Sequence, residues 1–500
     1  MHIRSALIAG TALVQTAVAA SVQAKNVIYI VPDGYGPASQ NMARDLASLV
    51  ETGTTGSNPE IHELPVDNLA IGRVRTHSAN NMITDSAASG TAYAAGYKSY
   101  NGAISVTPNG QPVGSILEAA KLAGLKTGLV STTSISDATP AVYAAHVANR
   151  GDQPLIAEQE LGYSHPLGRM VDLLLGGGRC NFVPSTTQNS CRDDNLDLLA
   201  YARDEGFAIA TNRTQFNALN GTLPILGLFS DDSMRYEMDR RIIQDEPSLL
   251  EMAEFAVSTL HNATRTQEKG FFVMIEAARI DHAGHDNDPA NHAVETHMYN
   301  DVVAWAVAWI DAHADSATIL LSAADHETGG LTLNGYDPLP LQNASHSRAY
   351  LQVVWDARPN GVDERAFLVS DILPAYGLSG VSGAEVDAIL GASTIGSGIA
   401  ALLSDRAGVH WSTGGHTSVD VTLHGYAAGA RQDALRADLA GGWDNTELPR
   451  YIEEVLGVDM DAVTERLVQA AGEDGAWLGM DKRGLGAPAR GLGGRGYCHH

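Results

Sequence analysis

Asp281 and His285 stand four positions apart, so a helix through them would offer a carboxylate and an imidazole to one cation. Asp325 and His326 form a second pair, adjacent in sequence, and Asp33 lies between Pro32 and Gly34. Asp137, Thr139 and Glu276 add oxygen ligands. Imidazole with carboxylate suits zinc, whereas an all-oxygen set suits magnesium. A nucleophile is available in Thr84-Asp85-Ser86-Ala87-Ala88-Ser89-Gly90-Thr91-Ala92, which opens a run of small residues. Ser86 falls at the expected N-terminus of a helix, where free N–H groups and the helix dipole favour negative charge on its oxygen. No G-x-S-x-G elbow surrounds it and no Ser/His/Asp order accompanies it, so metal activation is the chemistry implied. Taken singly, these features also fit an ordinary turn, a chance Asp/His pair and a capping serine.

Their placement along the chain joins them. Residues 26–31, 127–131, 170–175, 271–275 and 318–322 have the length and apolar content of buried parallel strands. Helical patterns at 114–122, 247–260 and 293–312 lie between them, which predicts an α/β fold with a mainly parallel central sheet covered by helices on both faces. Asp33 follows the first strand, Asp137 and Thr139 the second, Glu276, Asp281 and His285 the fourth, and Asp325-His326 the fifth. In such a sheet the carboxyl ends of the strands share one edge, where ligands bind. So many acids in one cleft would repel one another unless divalent cations held them.

The chain of 500 residues is 44% apolar and 18% charged, which excludes a disordered chain or a disulfide-stapled miniprotein. A net charge of −26 argues against nucleic-acid backbone as a partner. No apolar run of about 20 residues follows the N-terminus, so no transmembrane segment is predicted. Residues 1–24 read as a signal peptide, with Arg4 the only charge before Lys25 and small-x-small sites at Ala17-Val18-Ala19 and Val22-Gln23-Ala24. A periplasmic or secreted location follows, and loss of Arg4 with the leader takes the charge from −26 to −27. Cys180 and Cys191 share a turn-rich stretch and could close a small loop by disulfide, with Cys498 left over. Only six lysines occur, at 25, 98, 121, 126, 269 and 482. With the acidic excess this fits either salt tolerance or an arginine-preferring genome and a generic acidic exported protein.

Together these residues resemble the alkaline phosphatase family of secreted or periplasmic metal-dependent phosphomonoesterases. The resemblance runs from about residue 26 to 430. Its markers are Pro32-Asp33-Gly34, the Thr84 to Ala92 motif, Asp137-Ala138-Thr139-Pro140, Ala145-His146 with Arg150, the stretch 276–285, Ala324-Asp325-His326-Glu327-Thr328-Gly329-Gly330, and Gly415-His416-Thr417. It implies that Ser86 becomes a phosphoserine and that Arg150 grips two phosphate oxygens. It implies one zinc on Asp281, His285 and His416 and a second on Asp33, Asp325 and His326, beside Ser86. A magnesium would share Asp33 and take Thr139 and Glu276, with Asp137 behind its waters. His282 follows Asp281 where family members carry lysine, tryptophan or histidine, so the third-site metal preference stays open.

The resemblance also implies a homodimer acting on small phosphomonoesters of broad range. The 90 positions between His326 and His416 imply a crown-like insertion over 331–411, in which the sequence shows only loops and weak amphipathic stretches. The catalytic domain is placed at 25–470 and a Gly-rich tail at 471–500. His292 and His297 read as surface or packing residues, and Trp305 and Trp309 as core. Two rivals are weighed. A sulfatase would need a Cys- or Ser-x-Pro-x-Arg signature, which is missing, and Arg150 favours a terminal phosphate over a diester. A non-catalytic metal- or phosphate-binding protein would have lost Ser86.

Overall fold

The computed structural model describes residues 22–53 and 60–479. Most of the expected leader, the Gly-rich stretch from 480 onward and Cys498 lie outside the described residues. Among the described residues fourteen strands are present in chain order: β1 (Asn26–Val31), β2 (Ala70–Arg75), β3 (Lys126–Ser134), β4 (Leu173–Gly177), β5 (Ala208–Ala210), β6 (Ile225–Leu228), β7 (Phe271–Glu276), β8 (Thr318–Ser322), β9 (Glu327–Thr328), β10 (Leu331–Leu333), β11 (Val409–Trp411), β12 (His416–Thr417), β13 (Val421–Ala427) and β14 (Gly441–Asp444). Ten of them build one sheet in the order β14-β2-β13-β8-β1-β7-β3-β4-β6-β5. All of its pairings are parallel except those of β13, which runs against both β2 and β8.

Helices cover the sheet, and for that reason β1, β4 and β7 read as unbroken apolar runs with every residue buried. The order matters for chemistry. β1 lies between β7 and β8, with Val31 opposite Glu276 and Ile30 opposite Ser322, while Ser131 of β3 also faces Glu276. The loops after β1, β3, β7 and β8 therefore leave one edge side by side. The expected helices occur as Ile116–Leu122, Leu249–Thr264 and Pro289–Ala312. Trp305 and Trp309 pack against the core half-buried rather than inside it. His292 is fully buried and its Nε2 meets Ser39 Oγ at 2.8 Å, so it is a packing residue, and His297 is half-buried.

The segment between β10 and β11 departs from the sequence reading. It is largely helical, with helices at Arg348–Asp356, Gly383–Leu390 and Ile395–Ala407, and it has its own apolar core around Leu351, Trp355, Ile372, Tyr376 and Ile399. The antiparallel pairing of Leu331 with Trp411 closes its base. The helices Arg348–Asp356 and Gly383–Leu390 leave a weak pattern because each buries only two side chains, Leu351 with Trp355 and Val386 with Ile389. Cys180 and Cys191 are joined by a disulfide. Among the described residues no helix is long and apolar enough to cross a membrane.

Candidate metal centre and nucleophile

Ser86 is the first residue of the helix Ser86–Ala95, capped by Asp85, whose carboxylate accepts the Ala88 N–H at 2.9 Å. The hydroxyl is buried and its Oγ lies 3.2 Å from His326 Nε2. Asp33 stands two residues beyond β1 on a turn through Gly34, whose φ is +75°. A Cβ on Gly34 would come within 2.5 Å of Asp281 Cα, so glycine is what lets this loop lie against the helix Arg279–His285. That helix places Asp281 and His285 one turn apart, with Asp281 Oδ2 and His285 Nε2 separated by 3.2 Å. Asp325 and His326 follow β8, and His416 is delivered by β12, which pairs with β9.

The side chains converge as their positions on the sheet edge require. His416 Nε2 lies 3.6 Å from Asp281 Oδ1 and 3.0 Å from His285 Nε2. The His326 and His416 rings stack with centroids 3.5 Å apart. His326 Nε2 lies 3.1 Å from Asp325 Oδ2 and 3.7 Å from Asp33 Oδ1, and both of these carboxylate oxygens are buried without a hydrogen bond. Asp281, His285 and His416 form one ligand-grade group, and Asp33, Asp281 and His326 form another, so Asp281 reaches both. The remaining oxygen ligands sit beside them. Thr139 donates to Asp33 Oδ2 at 3.5 Å and also engages Glu276, whose Oε2 accepts from Ser131 Oγ. Asp137 is turned toward Arg150, accepting from Nη2 at 3.0 Å, and Asp85 takes Nη1 at 3.4 Å.

Protonation exposes the tension in this cluster. Burial, reinforced by Asp325 and Asp281, pushes the Asp33 carboxyl well above its usual range. Burial likewise raises Asp325 to about 6 and, against the Ser131 hydrogen bond, Glu276 to about 8. Asp281 is buried too, yet His285, His416 and His326 hold it well below the ordinary value. Burial would lower His285, but Asp281 lifts it to about 9. Burial takes His326 well down, helped by His416. Burial and Arg279 take His282 to about 4.

The outer ring nitrogens show which atoms face inward. His285 Nδ1 lies 2.7 Å from the Gly414 carbonyl and His416 Nδ1 lies 2.9 Å from the Thr84 carbonyl. A carbonyl only accepts, so each Nδ1 carries a proton, and Nε2 is the atom each ring turns toward the other and toward Asp281, a ligand atom once a cation displaces any proton it holds. Ring nitrogens and orphaned carboxylate oxygens aimed at one space fit divalent cations, which replace protons there. Gly414, Thr84, Ser131 and Thr328, which donates to Asp281 Oδ1, are supporting partners that ligand spacing did not reveal. Carbonyls leave no mark in a residue pattern. Ser131 and Thr328 lay within recognised stretches, but only their partners give them roles.

The alkaline phosphatase family model matches residues 24–458. The chain is 43% identical over 464 residues to the alkaline phosphatase of Schizosaccharomyces pombe, covering 89% of this chain and 84% of the relative. It is 37% identical to the repressible alkaline phosphatase of Saccharomyces cerevisiae, with the same coverage. The crystal structure of Thermus thermophilus alkaline phosphatase superposes with a TM-score of 0.74 at 26% identity, covering 90% of this chain and 96% of that one. A cold-active relative from Shewanella gives 0.72 at 28% identity, over 86% and 99%.

Proposed function

The chain belongs to the alkaline phosphatase family and is a metal-dependent phosphomonoesterase, and from that premise we propose that Ser86 is the nucleophile of a two-step hydrolysis through a phosphoserine. The observation that carries this is the 3.2 Å approach of Ser86 Oγ to His326 Nε2, at the rim of converging Asp33, Asp325 and Asp281. One zinc would be held by Asp281, His285 and His416, a second by Asp33, Asp325 and His326, and a magnesium by Asp33, Thr139 and Glu276. These cations would neutralise developing charge and act as Lewis acids. The residues do the rest. The helix N-terminus places Ser86 for attack and its N–H groups favour an anion there. Arg150, steered by Asp137 and Asp85, presents its fork to two phosphate oxygens. Recognition confined to the phosphate leaves the leaving group unread, hence a broad substrate range. The all-oxygen set of Asp33, Thr139 and Glu276 favours magnesium at the third site.

Export to the periplasm or outside the cell is supported by residues 1–24 and by the Cys180–Cys191 disulfide. A homodimer using the 331–411 segment is part of the same proposal. The test is p-nitrophenyl phosphate hydrolysis against pH, before and after chelation and on return of zinc and magnesium. Loss on chelation with recovery on zinc plus magnesium is expected. Full activity in the chelated protein would sink the assignment.

A further inference from the structure

Glu118, His146 and His165 make a third group with metal-site composition, sealed from solvent behind the nucleophile helix. The outer nitrogen of one of its rings faces the other way. His165 Nδ1 accepts the Leu167 N–H at 3.2 Å, so its proton is on Nε2 and is given to Glu118 Oε1 at 2.9 Å. A nitrogen so protonated is no metal ligand. His146 Nδ1 meets the Ser105 carbonyl at 3.0 Å and Nε2 meets Glu118 Oε1 at 3.0 Å. Burial alone would raise Glu118, yet His146 and His165 hold it far below the carboxylate range, so it too only accepts. Both nitrogens of His146 are therefore engaged, one by the Ser105 carbonyl and one by Glu118.

His146 lies on the segment that ends at Arg150, and that segment is fastened along its length. Gln159 accepts the His146 N–H at 2.8 Å and donates to the Trp477 carbonyl at 2.7 Å. Val147 pairs with Ile104, and Arg150 N–H donates to Gly102 O at 2.7 Å. The receiving loop is tied to the nucleophile helix: Ser105 N–H donates to Thr91 Oγ1 at 3.0 Å and Gly102 N–H to Asp85 Oδ2 at 2.8 Å. We infer that His146 is a positioning residue, held through both ring nitrogens between Ser105 and Glu118, that sets where Arg150 stands relative to Ser86 and thereby the affinity for phosphate. This rests on the reading of Arg150 as the phosphate grip.

A double-mutant cycle tests it, with inorganic phosphate inhibition, KM, kcat and zinc content as readouts. His146→Gln presents one short amide where the ring reached Ser105 and Glu118 from two opposed nitrogens, so it can serve only one of the two contacts well. It should weaken phosphate inhibition about tenfold, a shift on the scale of one lost hydrogen bond, with kcat within about threefold and zinc unchanged. In an Arg150→Ala background the same substitution should add nothing. Unchanged inhibition in His146→Gln, or an equal loss in both backgrounds, overturns the inference. Should Arg150→Ala alone leave inhibition unchanged, the phosphate-grip reading falls and takes this inference with it. If His146→Gln does not fold, Gln159→Met, which cuts the backbone tether, runs the same cycle with the same deciding outcomes.

Discussion

Asp281 with His285 and His416, and Glu118 with His146 and His165, are both triads of one carboxylate and two imidazoles. The first opens to solvent through His285 and the second is sealed. They differ in what holds one outer nitrogen, that of His165. In the first, carbonyls take both Nδ1 protons and leave the Nε2 atoms facing inward, where a cation can replace a proton. In the second, a backbone N–H occupies His165 Nδ1 and turns a proton inward, and Glu118 absorbs it. Composition cannot tell a cation site from a charge network. Hydrogen bonds to the far side of the ring can.

The largest effect expected at the first region comes from its nucleophile. Ser86→Ala should lower kcat by at least about 10³-fold while zinc content stays normal, because the ligand set is left standing. Wild-type turnover in that variant would remove Ser86 from the mechanism. Arg150→Lys comes next: one ammonium cannot make the forked contact, a loss of about 1–3 kcal/mol, or roughly 5- to 150-fold in phosphate affinity, read as a raised KM with a smaller change in kcat. Phosphate inhibition equal to wild type would contradict it.

A pH series on the chelated protein sharpens the contrast through stability. Asp325 and Glu276, raised to about 6 and about 8, are protonated in the metal-free fold but ionise in the unfolded chain above about 4.5, so stability falls as pH rises toward about 8. His285, raised to about 9, adds stability that is complete below its unfolded value of about 6.5 and is lost as pH climbs through about 9. Asp281, held low, contributes throughout that window and reverses neither trend. Metal binding needs these ligands deprotonated and strengthens over the same range. The melting-temperature gap between loaded and chelated protein should therefore widen from pH 5 to 9. A constant or narrowing gap would show that the carboxylates are not what the cations relieve.

The smallest expected effect concerns the surface. A charge of −26 should repel itself in dilute buffer, and salt screens that over about 8–10 Å. Melting temperature should hold or rise from low salt to molar sodium chloride. A steady fall would show that the acidity is not an adaptation to salt.

Strand-end placement made much of the site legible, because a buried parallel strand announces itself as an apolar run and its next polar residues must stand at the ligand edge. Residues 26–31 and 318–322 coincide with β1 and β8. β3 and β7 run further than expected, so Glu276 ends a strand instead of following one. β2, β5, β6, β13 and β14 were not anticipated. β5 and β6 are only three and four residues long, and β2 carries exposed polar residues. β13 interrupts its apolar run with His424 and Gly425, and it opposes its neighbours. Arg150 and His416 came from family resemblance alone, since one sits on an irregular segment and the other on a two-residue strand. The Glu118 triad was invisible: its three members come from separate elements and meet only when folded.

Elemental analysis of bound metal in three proteins tests the central contrast most directly: the natural chain, Asp281→Asn and Glu118→Gln. Zinc with magnesium is expected in the natural chain, zinc lowered by at least one equivalent in Asp281→Asn because one proposed zinc loses a ligand, and an unchanged content in Glu118→Gln. Full zinc in Asp281→Asn, or metal lost selectively from a folded Glu118→Gln, would contradict it.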